Sequence, residues 1–225
     1  MKRMEKGNGT KHLMAGSIVL MAFAIWTMMV RTVDVRQLGQ NGTDIGFAAL
    51  NVWFHQVTGV HRMLYVITDW LGLVPIFVCM FFGGIGLAQL IKRRSLWKVD
   101  TDIIFLGVYY VIVILCYLVF EVIPINYRPV LINGNLEASY PSSTTLLVLC
   151  VMPTLNDQMS RRVKNKTLNM VAQLFTTAFS AFMVTGRLIS GVHWLTDIVG
   201  AVLFSAGLFS IYKAVILCGK CKEQC

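Results

Sequence analysis

The sequence predicts an all-α, polytopic membrane protein, and three observations carry that expectation: apolar residues dominate, they fall in long runs, and basic residues gather between the runs. Hydrophobic residues fill 56% of the 225 positions and charged residues only 14%, too little polar surface to cover a water-soluble domain of this size. A helix crosses the hydrocarbon core with about 20 mostly apolar residues. Six segments read as spans: 12–30, 70–91, 103–122, 144–155, 168–185 and 194–217, the fourth being the shortest.

The first run follows Lys2, Arg3, Lys6 and Lys11, like the basic front of a signal peptide. It is long, and "MMVRTVDV" offers no small-residue cleavage site, so a retained helix is expected. Six spans starting inside put both termini and the loops around Lys92–Lys98 and 157–166 in the cytoplasm. The basic residues agree. Fifteen of them (Lys2, Arg3, Lys6, Lys11, Lys92, Arg93, Arg94, Lys98, Arg161, Arg162, Lys164, Lys166, Lys213, Lys220, Lys222) fall inside, and five (Arg31, Arg36, Arg62, Arg128, Arg187) fall outside, the asymmetry of the positive-inside rule. The net charge of +9 is therefore mainly a topology signal for a multi-pass cell-membrane protein. A nucleic-acid partner is not expected, because the basic residues are split among short loops without interleaved aromatics.

Between the first two spans, "TDIGFAALNVWFHQVTG" repeats apolar residues near helical spacing at Ile45, Ala49, Val52, Trp53 and Phe54, with Thr43 and Asp44 as N-cap candidates. This is a short external interfacial helix by expectation, with Trp53 and Phe54 at headgroup depth. Asp69, at the outer start of span two, reads as a carboxylate favoured by a helix N-terminus; a place in an external site is the alternative. The segment after span three holds Pro124, Pro129, Pro141 and Gly134 and reads as a loop. Span four starts just after Pro141 with Ser142 or Ser143 as N-cap, leaving backbone N–H groups free for an anion. Cys79, Cys116 and Cys150 lie within spans and Cys218, Cys221 and Cys225 at the inner end, so structural disulfides are not expected. The lone CxxC of the tail is a weak metal signal and reads as a frayed end. No internal repeat or linker divides the chain, so residues 1–225 read as one helical domain.

With this topology the outer ends of spans three to six bring Arg128, Ser142, Ser143, Arg187, His193 and Asp197 to one face. His193 and Asp197 are four apart at a helix start, so the carboxylate can hold an imidazole N–H and leave the other nitrogen as nucleophile or base. Two arginines suit a phosphoryl group. Asp197 precedes an apolar run, a setting in which ionised groups are costly and usually functional.

The series "RP", "PSS" and "GRLISGVHWLTD" resembles the membrane phosphatase family called PAP2, the type 2 phosphatidic acid phosphatases, over roughly residues 121–200. The family pattern is K-x6-RP, PSGH and SR-x5-H-x3-D. The resemblance implies that His193 attacks phosphorus to form a phosphohistidine and that Asp197 orients it. It also implies that Arg128, Arg187, Ser142 and the backbone around Ser143 hold the non-bridging oxygens. No metal or other cofactor is implied, since the arginines and the helix start supply the positive potential.

Departures from the pattern bear on the chemistry. Gly186 replaces the Ser before Arg187, Glu121 stands where the family has Lys, and Thr144 stands where it has the His that protonates the leaving oxygen. General acid catalysis supplies about 10²–10⁴ in rate, so Thr144 disfavours ordinary alkyl phosphates. Three readings stay open: an isoprenyl diphosphate substrate whose leaving group needs no proton; Glu121 as replacement acid or as partner of an ammonium headgroup; or a catalytically weak or inactive relative that binds or transports a phosphate-bearing lipid. The leading expectation is a metal-independent phosphatase or phosphotransferase acting on a membrane lipid phosphate or isoprenyl diphosphate, its site on the external face.

Overall fold

The computed structural model describes the backbone of residues 2–223 and the side chains of residues 7–219. Cys221 and Cys225 of the expected tail motif lie outside the described side chains. Eight helices follow in order: α1 Lys2–Thr32, α2 Ala48–Thr58, α3 Arg62–Leu71, α4 Leu73–Arg93, α5 Thr101–Val122, α6 Ser143–Arg162, α7 Lys166–Ile189 and α8 Leu195–Glu223. The long apolar runs form these helices because a backbone in lipid must satisfy its N–H and C=O groups within the segment.

Five stretches are long and apolar enough to cross a membrane: Gly7–Thr32, Arg62–Arg93, Thr101–Val122, Lys166–Ile189 and Leu195–Gly219. Their outer faces carry Ile18, Met21, Phe77, Phe81 and Leu174 exposed, the surface that lipid covers. The sixth expected span lies within α6, which is as long as a crossing requires but much less apolar. It sits centrally, touching α4, α5, α7 and α8, and buries polar side chains against protein. Tyr110 Oη and Thr154 Oγ1 lie 2.7 Å apart, and Gln158 Nε2 donates to Tyr212 Oη at 3.3 Å. A helix sheathed by other helices has no need of an apolar surface all round; a sixth crossing by α6 is a proposal that its length and central position support.

Helices α1 and α8 pack along one another. A methyl group built at Gly207 would lie 2.6 Å from Leu20 Cδ2, so Leu20 fills the space a side chain at position 207 would take, the close approach that small residues permit in membrane helix pairs. Phe23, Phe120, Tyr140 and Phe204 stack into an aromatic cluster joining α1, α5 and α8 to the loop before α6.

One end of the bundle is tied by a group of ion pairs. Arg93 meets Asp100 at 2.8 Å, Arg162 meets Asp102 at 2.8 Å, and Asp157 accepts from both Arg161 and Lys213. These tie the loop between α4 and α5, the end of α6 and the last part of α8 together, and Gly9 of α1 lies beside Cys218 of α8 at the same end. The basic segments expected inside thus share one end of the bundle, and the loops bearing the candidate site lie at the other.

Two elements differ from expectation. The interfacial helix begins later, with Phe47 as N-cap in left-handed conformation in place of Thr43 or Asp44. Residues 36–47 are instead taken by backbone pairing of Arg36 with Ile45 and by the close fit of Gly46 against the Val30 carbonyl. Span two begins at Arg62, ahead of the expected Trp70, as α3, which passes into α4 at Gly72. Asp69 is therefore in the last turn of α3. It is not an N-terminal carboxylate, and the dipole does not account for it.

Candidate active site

The start of α8 is built around Asp197. Its carboxylate accepts from the Trp194 backbone N–H at 2.9 Å, the reach-back of a third-position acid to the residue preceding a helix. Asn126 Nδ2 donates to the other oxygen at 3.4 Å, and Ser139 Oγ donates to Oδ2. Asn51 of α2 clamps the next residue back, exchanging bonds with Thr196 N and Oγ1. An apolar helix thus opens with a fully buried carboxylate whose oxygens all have donors, which is how a buried charge is tolerated.

His193 does not contact Asp197 in the way expected. The Nδ1–Oδ2 distance is 3.8 Å, beyond a hydrogen bond, and Ser139 stands between, its Oγ 3.0 Å from Nδ1. The single hydroxyl proton goes to Asp197, so toward the imidazole Ser139 accepts, which assigns the ring proton to Nδ1 and the lone pair to Nε2. That lone pair faces Arg187 Nη2 at 3.4 Å. Burial, then the charges of Arg128 and Arg187, hold the His193 pKa well below its ordinary value of 6.5, so the ring is neutral near neutral pH.

Arg187 is 1% exposed. Its guanidinium lies over the Tyr65 ring at 5.1 Å, and Nη1 is 3.5 Å from Asp69 Oδ1, while Nε has no hydrogen-bond partner. Arg128 comes from the loop before α6, which is fastened to the site by Trp194 Nε1 donating to the Tyr127 carbonyl at 2.8 Å. That bond joins the chain neighbours of Arg128 and His193. Arg128 Nε is 3.2 Å from Glu137 Oε2 without hydrogen-bond alignment, and Nη1 is unpartnered too. Buried guanidinium donors without acceptors are expensive in a finished core. Donors of this kind are able to hold an oxyanion.

Ser142 is the N-cap of α6 and Ser143 its first residue. The Ser142 N–H donates to the Asp197 carbonyl at 3.2 Å and its hydroxyl to Thr145, which joins the start of α6 to the start of α8. Thr144 and Ser143 line a cleft of about 440 Å³ among α4, α5 and α6, together with Asp69, Ile76, Cys79 and Val113. Glu121 is exposed at the end of α5, beside a small neighbouring cavity lined by Tyr117, Ser139 and Ser143.

The fold therefore gathers Arg187, His193, Asp197, Ser142 and the Arg128 loop at one end of the bundle, with Thr144 and Glu121 on its flanks. Ser139, Asn126, Asn51 and Asp69 complete the arrangement. Of these only Asp69 was singled out in the sequence, as an acid at the outer start of span two; Asn126 and Ser139 come from a loop without periodicity, Asn51 from the interfacial helix, and all three acquire their partners only when the chain closes on itself.

The family model described as PAP2 superfamily matches residues 121–217, the region that supplies α6 to α8 and every residue of the resembling motifs. No curated protein matches the chain by sequence. The fold is similar to the crystal structure of a transmembrane PAP2 type phosphatidylglycerolphosphate phosphatase from Bacillus subtilis, at a TM-score of 0.62 and 15% identity, covering 92% of this chain and 96% of that one. Residues 121–217 thus match the PAP2 superfamily model, and the helix bundle that carries them has a fold similar to that phosphatase.

Proposed function

We propose that the chain is a membrane lipid phosphatase or phosphotransferase that works through a phosphohistidine on His193. The observation that carries this reading is the imidazole itself, with Nδ1 tied through Ser139 to Asp197 and Nε2 aimed at the Arg187 fork. Nε2 attacks phosphorus while Arg128, Arg187 and the first N–H groups of α6, set in place by the Ser142 cap, hold the non-bridging oxygens, stabilising the charge that builds in the transition state. Asp197, through Ser139, supports the imidazolium-like ring that results. Water then releases phosphate.

The apolar cleft beside Thr144 supports a lipid substrate. It runs from Gly72 to Cys79 along α4, about 10 Å at the helical rise, long enough for the first part of a hydrocarbon chain whose headgroup sits at His193. Thr144 carries no dissociable proton for the leaving oxygen, and this favours a diphosphate, whose departing phosphate ester is stable as an anion, over an alkyl monophosphate. The same residue also favours the second reading, a catalytically weak or inactive protein that binds or transports a phosphate-bearing lipid. One assay separates the two. Purified protein in detergent, with chelator present, is given phosphatidate and farnesyl diphosphate, and free phosphate is followed; release that His193→Ala abolishes supports the enzyme, and equal release from both proteins removes it.

A further inference from the structure

Gly186 and Asp69 lie at one close contact between α3 and α7. A Cβ at position 186 would lie 2.7 Å from Thr68 Cγ2 and 3.6 Å from Leu64 Cδ1, so α3 packs on α7 more closely than the serine of the family pattern permits. The turn of α3 that gains this approach carries Asp69, with Tyr65 one turn earlier beneath Arg187. Asp69 Oδ1 reaches Arg187 Nη1 at 3.5 Å, while Nη2 of the same guanidinium is 3.4 Å from His193 Nε2. An anion held by this fork has the nucleophile on one side and the Asp69 carboxylate on the other. Asp69 also lines the cleft with Thr144, whose Cγ2 is 3.3 Å from the Cβ position of Gly72. The carboxylate thus stands beside the position from which the proton-transferring histidine is missing, and its side chain is 56% exposed.

We propose that Asp69 is the general base of the second half-reaction, taking a proton from the water that attacks the phosphohistidine. This rests on the phosphohistidine reading above. The water oxygen forms a bond to phosphorus, the Nε2–P bond breaks with its electron pair returning to the imidazole, and the water proton passes to the Asp69 carboxylate. In the first half-reaction a carboxylate paired with Arg187 has no proton to give. A diphosphate asks for none, because its P–O bond breaks onto a phosphate ester anion. The missing motif histidine and the presence of Asp69 then select the same substrate class: turnover of diphosphates is retained, and monoesters suffer at the first step.

The test is rapid-quench labelling with farnesyl diphosphate radiolabelled at its terminal phosphate, on the full-length protein in detergent micelles. Asp69→Asn is expected to lower steady-state phosphate release by about 10²-fold or more, in the range of a lost general base, while acid-labile label on the chain rises toward one per molecule. Asp69→Glu, which keeps a carboxylate, restores part of the release and removes the build-up. Release from Asp69→Asn at the wild-type rate overturns the proposal. So does slower release without accumulated label, the outcome if Asp69 only positions Arg187 and both steps slow together. Wild-type protein that neither takes label nor releases phosphate faster than His193→Ala fails the phosphatase reading itself, and the Asp69 role falls with it.

Discussion

Ser139→Ala removes one oxygen atom and should disable the site. That hydroxyl is the link between an imidazole and a carboxylate that stand 3.8 Å apart, and both residues are at most 2% exposed. Without it Nδ1–H loses its acceptor and Asp197 loses one of three donors, with Trp194 N and Asn126 Nδ2 remaining. An unsatisfied buried polar group costs about 1–3 kcal/mol, and that is the cost expected for the Nδ1–H, since both Asp197 oxygens keep a donor; it is less if a water fills the space. The kinetic effect should be larger in proportion. With Nδ1 unanchored the ring loses both its tautomer and its aim, and by analogy with loss of the orienting acid in serine hydrolases the rate falls by about 10²–10⁴. Phosphate release and thermal unfolding of the purified variant in detergent measure the two effects. A cycle with Asp197→Asn adds a third check: residues acting through one hydrogen-bond chain should give losses well short of additive. Release within twofold of wild type, or fully additive losses, would refute the relay.

Other expectations follow from the same geometry. Thr144→His places an imidazole beside a cleft of about 440 Å³ and should raise release from phosphatidate about tenfold or more, with little change for farnesyl diphosphate; equal gains on both would count against the leaving-group argument. Gly186→Ser forces a side chain against Thr68 and should destabilise by about 1–3 kcal/mol through overpacking, read as a lower melting temperature that Thr68→Ala partly restores. For pH, His193 is neutral in the folded protein to well below 6.5, so the unfolded chain takes up its proton first as pH falls. Its contribution to stability is complete above about 6.5 and declines below that value. The acid limb of the pH–rate profile should likewise lie below 6.5, and Arg128→Gln, which removes a repelling charge, should move that limb upward.

Some parts of this protein were legible in the sequence and others were not, and the difference is physical. Helices exposed to lipid announce themselves by continuous hydropathy, as α1, α5 and α8 do. The short apolar run of 144–155 understates α6, because its outer residues face Tyr110 and Tyr212 where lipid would otherwise demand apolar atoms. Arg187, His193 and Asp197 were readable because one turn and one helix start fix their relation, so spacing is geometry. Ser139 was not, since its role depends on a loop folding back until one hydroxyl meets two partners from α8 and the turn before it. Asp69 was visible as an acid but misplaced: its meaning comes from the joint between α3 and α4 and from the absent side chain at Gly186, two features more than a hundred residues apart.

The most direct test of the central claim is a structure determined with orthovanadate, which takes the geometry of phosphorus under attack. The account expects vanadium bonded to His193 Nε2, its oxygens contacted by Arg128, Arg187 and the first N–H groups of α6, with Arg128 turned away from Glu137. Vanadate bound elsewhere, or a His193 ring whose Nε2 faces away from it, would contradict the account.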